Sequence, residues 1–175
     1  MKRIAIIGCG GAGKSTFARR LGGILGIEVF HLDALNWKPG WVPTPKEEWQ
    51  VLQDEIVGRN SWIIDGNYSA TMVTRLEAAD TIIFLDYPTI TCLYRAIKRE
   101  IQYRGRSRPD MDPGCPERFH LPFLSWICGY RKRNRPTVLA RIEQHCQGKR
   151  VIILRRPSEA ESFLRALEAE VRADP

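Results

Sequence analysis

Apolar positions along this chain switch repeatedly between two periods. Short runs dominated by Ile, Val and Phe occur at "KRIAII" (2–7), "IEVFHL" (27–32), "SWIID" (61–65), "TIIFLD" (81–86) and "RVIIL" (150–154). These predict buried strands. Between them apolar residues recur every three to four positions, which predicts helices. Phe17, Leu21, Ile24 and Leu25 follow Lys14 in this way and are closed by Gly26; Trp49, Leu52 and Ile56 form a second face, and Phe163, Leu164, Leu167 and Val171 another. Helices are also predicted over 69–79, 89–103 (opened by Pro88), 120–133 and 136–147. Thr44, Pro45 and Glu47 read as an N-cap, a first-turn proline and a capping-box glutamate, and Ser158 with Glu161 reads as the cap of the last helix. The stretch "RGRSRPDMDPGCPERF" (104–119) is rich in Pro, Gly and charge and is predicted to be a loop or flap.

Strands alternating with helices imply a parallel sheet with right-handed crossovers. The expected fold is therefore a three-layer α/β domain, a five-stranded parallel sheet with helices on both faces. No repeat or linker divides the 175 residues, a length that fits one domain. At 43% hydrophobic and 27% charged the composition is that of a soluble globular protein, and no window holds the ~20 apolar residues of a membrane helix. "MKRIAIIGC" resembles a signal segment, but its apolar run Ile4 to Ile7 falls short of the ~7–15 residues a signal core needs, so a cytoplasmic protein is expected. The five cysteines are odd in number and form no CxxC pair, which argues for free thiols over a disulfide framework or a Cys-rich zinc site. The net charge of +7 is local: from Arg95 to Arg135 there are eleven Lys/Arg against four Asp/Glu, and the remainder balances. Such a zone suits nucleotide phosphates or a nucleic-acid backbone.

Chemistry first becomes specific at "GCGGAGKST", residues 8 to 16, between the first strand and first helix. Gly8, Gly13, Lys14 and Ser15 satisfy G-x-x-x-x-G-K-[ST], the P-loop pattern. Glycines let the backbone of Gly8, Gly10, Gly11, Ala12 and Gly13, continuing into Lys14, Ser15 and Thr16, turn its N–H groups onto phosphate oxygens. The helix opening at Lys14 adds its positive dipole end. Lys14 is placed to reach the β and γ phosphates of ATP, and Ser15 to ligate Mg²⁺. No N-K-x-D or D-x-x-G pattern marks a GTPase, and no LSGGQ-like signature occurs. The small nucleotide- and metabolite-kinase type of P-loop protein remains.

From here the chain resembles known proteins. "WIIDGNY" (62–68) resembles the third-strand "DG" segment of adenylate-kinase-type proteins, and "FLDYP" (84–88) their fourth strand. This likeness implies that Asp65 helps hold the Mg²⁺ shell and that Arg95 and Arg99 bind phosphate; at i, i+4 the two share a helix face. It also implies an acceptor-binding insert at about 33–60 and a lid at about 104–122. Arg104, Arg106, Arg108 and Arg118, or Arg131, Arg133 and Arg135 beyond the flap, are equal candidates to point inward. The segment Arg155 to Ser158 falls where such proteins pack adenine. Nearly the whole chain is similar to the small bacterial "DNA topology modulation protein" family, through "GCGGAGKST", "LDALNWKPGW", "WIIDGNY", "RPDMDPGCPERF" and "FLSWICGYRKRNRP".

The chain departs from adenylate kinases on the acceptor side. Residues 31–44 hold no arginine, and Asn67 and Tyr68 follow Gly66 where that family has an arginine. A nucleoside monophosphate acceptor is disfavoured. Small-molecule kinases such as those for shikimate place an aspartate just after the second strand, and that likeness makes Asp33 the group that orients or deprotonates an acceptor hydroxyl. A turn-forming aspartate is the competing reading. Trp37 and Trp41 either wall the acceptor or pack beneath its helix. Two functions stand: a Mg-ATP-dependent phosphotransferase using Lys14, Asp33, Arg95 and Arg99, or a nucleic-acid-associated ATPase using segment 95–135.

Overall fold

The computed structural model describes residues 1–108, 111, 114–117 and 119–173. Among them, five strands form one parallel sheet: β1 (Arg3–Gly8), β2 (Val29–His31), β5 (Trp62–Asp65), β6 (Thr81–Leu85) and β7 (Arg150–Leu154), in the order β2-β5-β1-β6-β7. Alternation along each strand divides the core in two. Ile4, Ile6, Ile63, Ile83 and Leu85 face one layer, with α1 (Lys14–Leu25), α5 (Thr89–Gln102), α6 (Leu121–Arg133) and α8 (Pro157–Ala173). Ala5, Ile7, Trp62, Ile64, Ile82 and Phe84 face the other, with α3 (Lys46–Val57), α4 (Met72–Ala78) and α7 (Arg135–His145). Phe84 and Trp62 are fully buried, each contributing about 2–3 kcal/mol of transfer free energy. This is the expected three-layer fold. No helix among the described residues is long and apolar enough to cross a membrane.

Three local expectations fail. The second strand stops at His31, and Leu32 begins a short helix α2 (Leu32–Asn36), so Asp33 sits in a first helical turn rather than on a strand end. A small antiparallel hairpin of β3 (Trp37–Lys38) and β4 (Val42–Pro43) then follows. Thr44 does not cap α3: its Oγ1 donates to the Leu35 carbonyl at 3.1 Å and its N–H to Asn36, tying the hairpin back to α2. Pro45 occupies the N-cap with no side-chain bond; Glu47 and Glu48 in the first turn suit the helix dipole, and Glu48 also takes the Lys38 ammonium on both oxygens, at 3.0 and 2.9 Å. Ser158 lies inside α8, where Glu159 accepts the Arg155 N–H at 2.6 Å. Glu161, expected in that cap, instead takes both guanidinium nitrogens of Arg20, at 2.5 and 3.0 Å.

The loop after β1 is pressed against α5. A Cβ at Gly11, whose φ is 75°, would lie 2.1 Å from the Cys92 carbonyl oxygen. Gly23, in the interior of α1, has open space around it. Gly11→Ala should therefore destabilise the fold by roughly 2–4 kcal/mol, through overpacking and a left-handed backbone. Gly23→Ala should stabilise it by about 0.5–1 kcal/mol. Urea unfolding of both variants checks the contrast, and equal effects would contradict the contact.

Candidate functional site

One cleft of about 1110 Å³ runs along the carboxyl ends of the strands. Its floor is the loop from Gly10 to Thr16, and all of those residues line it. Gly11 and Gly13 take positive φ, 75° and 87°, which a Cβ would oppose. Gly13 is the N-cap of α1 and no side chain caps the helix, so its first-turn N–H groups have no side-chain partner within the cap. Gly8 lies at the root of the loop and not on the cleft wall. Its N–H donates to Asn67 Oδ1 at 3.2 Å, and its carbonyl, with that of Cys9, accepts the Lys14 ammonium at 3.0 and 3.1 Å. Ser15 lines the cleft beside Lys14.

The arginine pair of α5 enters from one side. Arg95 Nη1 donates to the Ala12 carbonyl at 3.3 Å and its guanidinium stands over Tyr87. Arg99, one turn on, is ion-paired at 3.3 Å with Glu117, and Arg108 reaches the same carboxylate oxygen at 2.7 Å. Glu117 went unnoticed in the sequence, although among residues 104–119 it is the one glutamate. Of the flap arginines, Arg108 is buried against the cleft, while Arg104 and Arg106 are exposed; Arg118 lies outside the described residues. Arg131 and Arg133 are exposed. Arg135 grips buried Asp86 with two bonds of 2.8 and 2.7 Å, joining α7 to the end of β6.

A second group of side chains lines the same cleft. Asp33, Trp37, Trp41, Asp65 and Tyr68 all line it. Tyr68 donates its hydroxyl to Asp33 Oδ1 at 3.0 Å, and its ring packs on Trp49 with centroids 5.0 Å apart. Burial and the Asp33 charge push the Tyr68 phenol well above its ordinary range, so it stays a donor. Asp65 is held by His31, whose Nδ1 lies 3.0 Å from Oδ1, while its Oδ2 is buried with no hydrogen-bond partner. That leftover oxygen fits a cation or its water shell. No group of three or more His, Cys, Asp and Glu that could hold a metal ion occurs among the described residues. All five cysteines are free.

Arg59 and Arg75, the arginines nearest the acceptor side, are engaged elsewhere. Arg59 pairs with Glu28 at 2.8 Å. Arg75 is buried and donates only to neutral oxygens: Gln53 Oε1 at 2.6 Å, Thr71 Oγ1 at 2.7 Å and the carbonyls of Gly66 and Asn67. Burial pulls its pKa down to about 10. Its work is to hold the backbone that carries Tyr68.

The flap is docked onto the hairpin. Gly40 N–H donates to the Gly114 carbonyl at 2.8 Å and Trp41 Nε1 to the Pro116 carbonyl at 3.1 Å. Buried Cys115 points its thiol at the carbonyls of Trp37 and Lys38. Trp41 adopts a φ of 63°, a costly left-handed backbone for a bulky residue, and stands edge-on to Trp37 at 5.7 Å. From the other side Phe123 of α6 sits directly on Gly10. None of these tertiary contacts has a periodic signature in the sequence.

With this geometry the fold is that of P-loop kinases. A shikimate kinase from Acinetobacter baumannii, solved in complex with shikimate, is 16% identical with a TM-score of 0.56, covering 99% of this chain and 94% of that one. A shikimate kinase from Bacteroides thetaiotaomicron is 15% identical with a TM-score of 0.51, covering 98% of each chain. A sugar kinase from Janibacter sp. HTCC2649 is 18% identical with a TM-score of 0.51, covering 95% and 92%. No protein-family model matches the chain, and no curated protein matches it.

Two consequences can be measured. Gly114 has a φ of 98°, and a Cβ there would lie 2.9 Å from Pro39 Cβ. Gly114→Ala should loosen the docked flap, lowering hydrogen-exchange protection of the Gly40 amide at least tenfold while the sheet amides are unchanged. Glu100, buried beside the flap, has its carboxyl raised above the ordinary 4.5 by burial and by the Glu117 charge, with Arg99 and His120 opposing. A raised carboxyl means the folded state holds the proton more tightly, so ionisation at neutral pH weakens the fold and stability from this group rises as pH falls. Glu100→Gln should therefore stabilise the protein at pH 7, by less than about 1 kcal/mol. The advantage should vanish below pH 4.5, and thermal melts at both pH values test the sign.

Proposed function

We propose that this chain is a Mg-ATP-dependent phosphotransferase acting on a small hydroxyl-bearing acceptor. The observation that carries the reading is a single cleft with a phosphate-binding loop at one wall and Asp33, Trp37, Trp41 and Tyr68 at the other, with Arg95 and Arg99 also lining it. The loop amides from Gly10 to Thr16 and the uncapped start of α1 bind the donor phosphates. Lys14 swings from its loop carbonyls to the β and γ oxygens. Arg95 and Arg99 steady the transferring group, which suits their planar forks. Ser15 and Asp65 would hold Mg²⁺, and Asp65 Oδ2 has the unmatched acceptor capacity this requires. When bound, that cation supplies charge neutralisation on the phosphoryl oxygens.

Asp33 takes the acceptor hydroxyl. Tyr68 occupies one of its oxygens and fixes its rotamer, leaving the carboxylate charged to accept the hydroxyl proton and align the oxygen for in-line attack. Trp37 and Trp41 offer an apolar wall. A nucleoside monophosphate is disfavoured because Arg59 and Arg75, the nearest candidates for its phosphate, are turned to Glu28 and to the backbone. The names of the similar structures, kinases of shikimate and of a sugar, support an acceptor of this size and chemistry. Four arginines of the basic segment that motivated a nucleic-acid reading, Arg95, Arg99, Arg108 and Arg135, are engaged internally, at Ala12, Glu117 and Asp86.

The test is a screen with γ-labelled ATP and Mg²⁺ across hydroxy acids, sugars, nucleosides and nucleoside monophosphates. Label should move to a hydroxyl acceptor; transfer to water alone across the whole set would sink the proposal. Lys14→Ala should lower transfer about 10²–10³-fold. Asp33→Asn should lower it about 10²–10⁴-fold with ATP affinity changed less than about twofold.

A further inference from the structure

We propose that His31 is a positioning residue for Asp65, holding one carboxylate oxygen so that the other faces the cation of bound Mg-ATP. This rests on the donor reading above. His31 and Asp65 are register partners on the neighbouring parallel strands β2 and β5. Their side chains meet at 3.0 Å, Nδ1 to Oδ1, with 15% and 4% exposed. An ionised carboxylate can only accept, so the proton sits on Nδ1 and the tautomer is set by Asp65.

The remaining oxygen, Oδ2, is buried without a partner. An unmatched buried carboxylate oxygen is costly and persists where a further partner is accommodated. Asp65 lies on the cleft with Lys14 and Ser15. The two residues after Asp65 are tied to β1: Gly66 N–H donates to the Ile6 carbonyl at 3.2 Å, and Asn67 Oδ1 accepts from Gly8 N–H at 3.2 Å. His31 is also the N-cap residue of α2, two residues before Asp33, and its ring makes no capping bond there.

The experiment needs no acceptor. ATP affinity is measured by calorimetry with excess Mg²⁺ and with EDTA, in wild type, His31→Ala, His31→Phe and His31→Asn. Wild type should bind ATP more tightly with Mg²⁺. His31→Ala and His31→Phe should lose about 10–100-fold of that Mg²⁺-dependent gain. Affinity in EDTA should stay within about twofold. His31→Asn, whose amide N–H can replace Nδ1–H, should keep most of the gain. If the alanine variant does not fold, the Phe–Asn contrast decides alone. An unchanged Mg²⁺ gain in His31→Phe, or an equal loss in EDTA, would overturn the proposal while leaving the donor reading intact. Wild type that binds no ATP, or binds it without regard to Mg²⁺, would overturn both.

Discussion

Everything at the cleft hangs on how closely the loop after β1 approaches α5. At Gly11 the two backbones come so near that no side chain fits between loop and the Cys92 carbonyl. That contact sets the height and rotation of α5. One turn later Arg95 therefore meets the Ala12 carbonyl, and the next turn carries Arg99 over the same cleft. A helix displaced outward by a methyl group would carry both guanidinium groups away from the phosphate cradle. The interior transmits such shifts because it is close-packed.

Around this frame four carboxylates have different kinds of partner. Asp86 is clamped by a bidentate guanidinium and its charge is consumed in joining α7 to the sheet. Glu117 gathers Arg99 and Arg108, so the flap carries its own counter-charge into the cleft. Asp65 and Asp33 instead meet an imidazole and a phenol, and both line the cleft. The segments 31–33 and 65–68 thus brace each other reciprocally, each supplying one carboxylate and one ring partner.

The five strands, the main helices and the phosphate loop were legible in the sequence because each is a local pattern: alternation, a 3.6-residue period, or glycines at set offsets. Arg95 and Arg99 were legible as a helical pair for the same reason. Misreadings arose where a local preference met a stronger tertiary partner. Thr44 has every property of an N-cap, yet the Leu35 carbonyl takes its hydroxyl. Glu161 fits a capping box, yet Arg20, distant in sequence, takes its carboxylate. Among seven flap and hinge arginines composition offered no choice; of the six described, burial singled out Arg108 for the cleft while Asp86 captured Arg135.

The sequence by itself determined the sheet, its two helical layers and the glycine-rich loop that opens α1, since those follow from short-range periodicity and backbone conformation. Only the tertiary structure decided what each charge faces. His31 meets Asp65 through the register of two parallel strands, Tyr68 reaches Asp33 from the next loop, and the hairpin holding Trp41 is pinned by a flap some seventy residues away. Strand register, and the path of a chain between elements, depend on packing summed over the whole molecule. No short window of residues carries that information.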